Sequence, residues 1–527
     1  MGILLAIGRW AFAAPLYSAP PPPYKSAHVA ASSLEQSLRD LPRIGTLIKD
    51  RGYRQVWRFE HEQRAYYLKF YPRKGVRDAL RRLTRGSPAR LEFERLRWLQ
   101  RTDVPAPRAV AALYGFRLDG QSGDAVVLHA IEPAVPLDAY LNDLELRGEE
   151  VENHLRLVAD VCALIGRLAK AGLGHEDLHL GNILRKGDEL FLIDAYAVQQ
   201  GGLRLSDLLR LAHSVRRFAT RTDLLRGWRL LGPGGGAGPM PPANRVSNRM
   251  WADLLRRVMA ENRYFGRLEA GQWTGTFFRQ EKYPRRWSDA SRLTVEENDW
   301  LAAWPKLLAQ IESGEVNVLK RSPSGDVLSA EVELGGQTVA VIVKRPRRRY
   351  WYRYINEIGR GPRSRRAWLK AWKMIVRDVP TAWPLLLMEK RQFGYVTDNL
   401  IVFERVAGPT LARADLDAMP TSQRQMLFRR IGRLLRSIDR LGFSHFDAKA
   451  SNWIVRDDPQ LGPGPVMIDV DGIRQRRWLA LGIDRLLRSL ASHRQYVPAD
   501  SLALCQGYAP FSATAVETVI EKVVEGE

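Results

Sequence analysis

The stretch whose reading decides the fold is Ala171–Tyr196, AGLGHEDLHLGNILRKGDELFLIDAY. A second stretch, Leu441–Val455, reads LGFSHFDAKASNWIV and is followed by Val466–Gly472, VMIDVDG. Both contain Gly-x-x-His-x-Asp, an Asn five residues after the Asp, two apolar residues, and an apolar strand-like run closing on Ile193-Asp194 or Ile468-Asp469. Working outward, Tyr66–Phe70 (YYLKF) matches Val341–Lys344 (VIVK), and Val104-Pro105 matches Val379-Pro380. The offset is 275 residues for Lys69/Lys344, Pro105/Pro380 and Asp194/Asp469, and 270 for Asp177/Asp447. Landmarks at nearly constant separation mark an internal duplication. Each copy is too long to be a solenoid unit.

The local patterns repeat as well. Val56–Phe59 and Tyr66–Phe70 are β-branched and aromatic around a turn at His61–Arg64, which predicts a hairpin. Val332–Lys344, with Gly335-Gly336 at its centre, predicts another. Helical patterns follow at Leu91–Leu99 and Ala367–Val376, then strands at Ala125–His129 and Leu400–Glu404. A long amphipathic helix leads into each His-x-Asp segment, over Asn153–Ala171 and Ser422–Leu441. Leu203 to about Trp304 reads as mainly helical, with Gly232–Pro242 (GPGGGAGPMPP) as an internal loop. The copy boundary is expected near Trp304–Ser313, giving a flexible extension at 1–35, one domain at 36–305 and a second at 306–527.

Each copy holds one strand Lys, one loop Asp, an Asn five residues on, and an Asp at a strand end. That is an inventory for handling a nucleotide triphosphate. A strand Lys neutralises phosphate oxygens, and a loop Asp orients or deprotonates a hydroxyl. Asn and the second Asp supply hard oxygens for Mg²⁺. The order strand-Lys, helix, His-x-Asp-x₄-Asn, Ile-Asp is that of the protein-kinase-like fold, so the expected class is α+β, with two tandem bilobal domains. His175 and His445 are expected to brace their loops. No G-x-G-x-x-G is present: the first copy offers Gly52 and the second Ser322–Gly325, so phosphate cover must come from other backbone amides.

The segments HEDLHLGNIL/LIDAY and HFDAKASNWIV/MIDVDG, with VPAP and VPTAWP upstream, resemble the bacterial lipopolysaccharide core kinases (Kdo/WaaP, InaA-like). The resemblance spans both copies. It implies a kinase-like fold and an enzyme that uses ATP and Mg²⁺ to phosphorylate a sugar hydroxyl of the inner core, Kdo or heptose. It further implies that Lys69 holds ATP phosphates with Glu92 as its helix partner, that Asp177 is the catalytic base, and that Asn182 and Asp194 are metal ligands. In the second copy Lys344, Asp447, Asn452 and Asp469 take those roles. Lys449 contacts the transferred phosphate, and Asp471 is a neighbouring carboxylate. One departure stands out: the position matching Glu92 is Ala367, which leaves Lys344 without that partner unless Glu357 serves from a displaced position. Two alternatives stay open. One copy is a pseudokinase supporting the other, or the acceptor is a protein or small molecule.

Composition sets wider limits. The chain has 527 residues, 45% hydrophobic and 26% charged, which excludes collagen-like, coiled-coil and wholly disordered classes. Cys162 and Cys505 are too few for a disulfide framework or a structural zinc site and fit a reducing compartment. Met1–Ser18 is apolar but has no basic start and is interrupted by Arg9, so it is read as an extension and not a leader. The net charge of +23 draws the chain to polyanions. Basic residues cluster in matching places: eight from Lys69 to Arg90, including Arg73, Arg77, Arg81, Arg82 and Arg85, and eleven from Lys344 to Lys370, beside Tyr350, Trp351, Tyr352 and Tyr354. A solvated face, single-stranded nucleic acid and an acidic glycolipid or membrane face all suit this pattern. The last is favoured, with no DNA partner expected. The localisation that follows is cytoplasmic and peripheral at the inner membrane.

Overall fold

The computed structural model describes residues 40–75, 86–147, 151–232, 255–281, 284–347, 361–393, 395–475, 481–493 and 495–509, with a few isolated residues between these spans. Nearly all of the N-terminal extension, most of the Gly232–Pro242 tract, Arg77, Arg81, Arg85, the Tyr350–Tyr354 aromatics and Glu357 fall outside the described residues. The chain divides into two compact units, Met1–Leu91 with Ala109–Ala130, and Glu92–Arg108 with Ile131–Glu527.

The first unit is a five-stranded antiparallel sheet. Its strands are β1 (Thr46–Asp50), β2 (Gln55–His61), β3 (Arg64–Pro72), β4 (Ala109–Leu118) and β5 (Gln121–His129), in the order β1-β2-β3-β5-β4. Strand alternation places Tyr66, Leu68 and Phe70 in the core with Phe59, Ala125 and Val127. Lys69 therefore projects from the other face of β3, paired in register with Val126.

The second unit repeats that sheet and widens it. Its strands are β6 (Phe265–Ala270), β7 (Trp273–Phe278), β8 (Asn317–Ser322), β9 (Gly325–Leu334), β10 (Gln337–Pro346), β11 (Pro384–Gln392) and β12 (Tyr395–Glu404). The order β6-β7-β11-β12-β10-β9-β8 contains the first sheet's pattern with a hairpin added at the β11 edge. Lys344 on β10 pairs with Ile401, as Lys69 pairs with Val126 at the same 275-residue offset.

The added hairpin corrects the reading of Leu203–Trp304 as mainly helical. Helices do occupy Leu205–Val215 and Arg221–Leu231, but Phe265–Phe278 is extended. FGRLEA and WTGTFF form two strands around a tight turn at Gly271, where φ is +61°, and Thr276–Phe278 are buried in succession. Gly275 lets the strand approach β11: a Cβ there would lie 2.0 Å from the Leu387 carbonyl oxygen. The helix Glu297–Ser313 packs on the same sheet, burying Trp300, Trp304 and Leu307, so the expected boundary at 305/306 falls inside one helix. Phe265 and Phe278 enclose Trp372, with ring centroids 4.8 and 5.9 Å away, and Trp383 closes the cluster at 5.1 Å from Trp372.

Trp372 is 2% exposed, so Trp372→Ala leaves a large hole where the hairpin meets the helix Arg363–Ile375. A loss of about 3–5 kcal/mol is expected in denaturant unfolding of the full chain. A loss below about 1 kcal/mol contradicts the hairpin's place in this core.

Candidate active site

In the second copy, Val341 and Val343 point into the core and Lys344 emerges beside them on the opposite face of β10. Its ammonium donates to the carbonyl oxygen of Ile468 at 3.1 Å and to Asp469 Oδ1 at 3.5 Å. The backbone N–H of Asp471 also donates to Asp469 Oδ1, at 3.1 Å. Burial works to raise the Asp469 carboxyl. The Lys344 charge, these hydrogen bonds and nearby His445 outweigh it and hold the group below its ordinary value.

The loop after the helix Thr421–Arg440 is built around His445. This ring is buried, and its Nδ1 accepts the Asp447 N–H at 3.2 Å, which leaves the proton on Nε2. Burial pushes its pKa down to about 4. Asn452 Nδ2 donates to the Asp447 carbonyl at 2.8 Å and to Asp447 Oδ2 at 3.1 Å, turning the amide oxygen away from the loop. Lys449 Nζ lies 3.0 Å from Asp447 Oδ2. Gly472 is required by proximity: a Cβ there would meet the Asp447 nitrogen at 2.9 Å. Two backbone tethers position the Asp469 strand end, Met467 N–H to Pro380 O at 3.0 Å and Ile468 N–H to Asn452 O at 3.0 Å.

The first copy repeats the backbone tethers and the loop hydrogen bonds from Asn and His. Leu192 N–H donates to Pro105 O at 2.8 Å and Ile193 N–H to Asn182 O at 2.9 Å. Asn182 Nδ2 donates to Asp177 O at 2.8 Å, and His175 Nδ1 accepts the Asp177 N–H at 3.3 Å. The His175 Nε2 donates to Ile193 O at 3.2 Å, so both expected loop-bracing histidines do brace their loops. Asp194 sits at φ +58°, a left-handed conformation that Asp tolerates better than most residues. Asp177, Asn182 and Asp194 belong to the second unit, as does Glu92, which is fully buried in the helix Pro88–Arg101; Lys69 belongs to the first unit.

Two differences between the copies were not read from the sequence. His179 occupies the place of Lys449, with Nε2 3.5 Å from Asp177 Oδ2. The His179 hydrogen bond, working against burial, holds the Asp177 carboxyl below its ordinary value. The second difference lies in what the helix Arg363–Ile375 does in place of the glutamate, its Ala367 being buried at the Glu92 position as the spacing gave. That helix instead grips the loop after Asp469 with cations. Arg363 donates through Nε and Nη2 to Asp471 Oδ2 at 3.0 and 2.8 Å, and Lys370 Nζ donates to the Asp471 carbonyl at 2.7 Å. Arg363 and Lys370 are seven residues apart, two turns along one helix face, which was the available signal.

The described members of the basic clusters are largely engaged within the protein. Arg73 and Arg82 pair with Asp124, Arg345 with Asp398, Arg347 with Asp326 and Arg365 with Glu389. These pairs tie the two sheets to their flanking segments.

The family model described as "Lipopolysaccharide kinase (Kdo/WaaP) family" matches residues 46–223 and 362–508, together more than half of the chain. A solved structure described as WaaP in complex with acyl carrier protein is similar at 21% identity and a TM-score of 0.29, over 42% of this chain and 90% of that one. No curated protein matches the chain.

His445 gives a pH test of the loop. An unfolded histidine titrates near 6.5 and the folded one near 4, so the unfolded chain takes up the proton first and stability falls as pH drops through that window. Between pH 7 and pH 4 the unaltered protein is expected to lose about 3 kcal/mol more than His445→Asn, which cannot titrate. Parallel stability curves for the two proteins contradict the assignment.

Proposed function

The chain belongs to the lipopolysaccharide kinase (Kdo/WaaP) family and is a kinase, and from that premise we propose that it transfers the γ-phosphate of ATP, with Mg²⁺, to a sugar hydroxyl of the lipopolysaccharide inner core, on Kdo or heptose. The observation that carries the reading is the meeting of Lys344 with Asp469 at 3.5 Å, together with the Asp447–Lys449–Asn452 cluster. The donor set suits the ion: a carboxylate held deprotonated and an amide oxygen turned outward are hard ligands, and Mg²⁺ takes its remaining oxygens from phosphates and water. Bound, it would neutralise charge on the triphosphate.

In this proposal Lys344 holds phosphate oxygens, and Asn452 and Asp469 are the metal ligands. Asp447 orients the acceptor hydroxyl and takes its proton, while Lys449 balances charge beside it. Lys69, Asp177, Asn182 and Asp194 do the same in the first copy, with Glu92 as the partner of Lys69 and His179 standing where the second copy has Lys449. Such a site works mainly by positioning and charge neutralisation, so these few groups suffice. The domains are proposed to be kinase-like units at about residues 36–305 and 306–527, with the hairpin and the helix Glu297–Ser313 serving the second sheet. An acidic glycolipid is the proposed acceptor and an anionic membrane surface the proposed docking partner, which places the protein at the cytoplasmic face of the inner membrane. No helix among the described residues is long and apolar enough to cross a membrane.

A second reading, one active copy with a supporting pseudokinase, is favoured by a specific observation: the buried Ala367 offers Lys344 no carboxylate.

The test is phosphate transfer from labelled ATP to core glycolipid by the full chain. Asp177→Asn with Asp447→Asn is expected to lower transfer by at least about 1000-fold, because each removes a positioned base and no site remains. Each single variant reports the share of one copy. Transfer that survives the double variant contradicts the assignment, and acceptance of a protein in place of glycolipid moves the acceptor class.

A further inference from the structure

A cavity of about 640 Å³ opens beside Asp177, and the second copy supplies one of its walls. Asp177, His179 and Arg210 line it from the first copy, and Arg377, Asp378 and Leu441 line it from the second. Arg377 lies in the turn after the helix Arg363–Ile375 and is 5% exposed. Its guanidinium stacks over Trp251 at 4.1 Å and Phe443 at 5.0 Å, and Nη1 donates to the Lys373 carbonyl at 2.7 Å.

No carboxylate among the described residues pairs with it. The nearest acid in sequence, Asp378, turns to Arg285 at 3.1 Å and Arg217 at 3.9 Å. Arg377 Nε is buried with no partner. A buried guanidinium held between rings without a counter-charge is costly unless something else brings one. Burial and the adjacent Arg216 push it down to about 9, which still leaves it charged at neutral pH.

We propose that Arg377 is a specificity-determining residue of the first copy's acceptor pocket, donated by the second copy, and that it binds an anionic group, carboxylate or phosphate, on the acceptor glycan. The inference rests on the reading of Asp177 as the base of that pocket. It gives the duplication a use that does not depend on catalysis by the second copy. The planar fork suits both anions, and Trp251 and Phe443 fix its plane so that little freedom is lost on binding.

Calorimetric titration of the full chain tests the proposal with two probes, free Kdo for the carboxylate and inorganic phosphate for the other source, with Kdo methyl ester as control. Arg377→Met is expected to weaken binding of at least one anion by about 10- to 100-fold and to leave the ester unaffected. Added to Asp447→Asn, Asp177→Asn is expected to keep that binding while losing the remaining turnover, which separates failure of this proposal from failure of the base assignment. In an Asp447→Asn background, Arg377→Met is expected to raise the acceptor KM about tenfold with kcat within about twofold. Should Arg377→Met fold poorly, Arg377→Lys keeps the charge without the fork and is expected to lose about three- to tenfold in affinity. Absence of binding of either anion by the unaltered protein, or equal affinities in the folded variant, overturns the proposal.

Discussion

The site depends on keeping an amine and a carboxylate from distant segments within reach of each other. Lys344 and Asp469 lie 3.5 Å apart, with side chains 26% and 32% exposed. At that exposure the pair contributes only about 0–1 kcal/mol, so mutual attraction does not hold the geometry. The scaffold does: Lys344 is fixed by pairing on both sides of β10, and Asp469 by the Pro380 and Asn452 tethers. Two charges placed by a frame that does not need them are ready for a ligand of higher charge, which is the condition that pre-organised phosphoryl-transfer sites meet.

The two copies keep the frame and vary what it presents. Hydrogen bonds from Leu192 to Pro105 and from Met467 to Pro380 coincide at the same 275-residue offset, and those from Leu180 to Ser214 and from Ala450 to Ser489 correspond, with the donors 270 and the acceptors 275 residues apart. The charged positions have drifted: Glu92 against Ala367, His179 against Lys449. The Arg363–Asp471 pair and the Lys370 contact tie the second copy's helix to the end of its Asp469 loop in a way that needs no carboxylate on the helix. Contacts that position backbone are retained, and contacts that set local charge have diverged.

The duplication, the paired hairpins and the loop residues were legible because they sit in short contiguous motifs with fixed spacing. The α+β class followed from their order. The Phe265–Phe278 hairpin was missed because its strands, covered on both faces in part, do not alternate cleanly, and its partner strand β11 lies more than 100 residues later with no local pattern to announce the pairing. The sequence shows the basic runs but not the pairing of their described members, because the acids that engage these, Asp124, Asp326, Glu389 and Asp398, are dispersed along the strands. Arg377 gave no signal at all. Its interest lies in having no carboxylate partner among the described residues, and that only a folded chain reveals.

The central claim is that the second copy retains a nucleotide site although Ala367 stands at the glutamate position. Stoichiometry of a non-hydrolysable ATP analogue on the full chain, measured with saturating Mg²⁺, tests it most directly. The account predicts two nucleotides per chain, falling to one in Lys344→Met. No binding, or a single bound nucleotide that is indifferent to Lys344→Met, contradicts it.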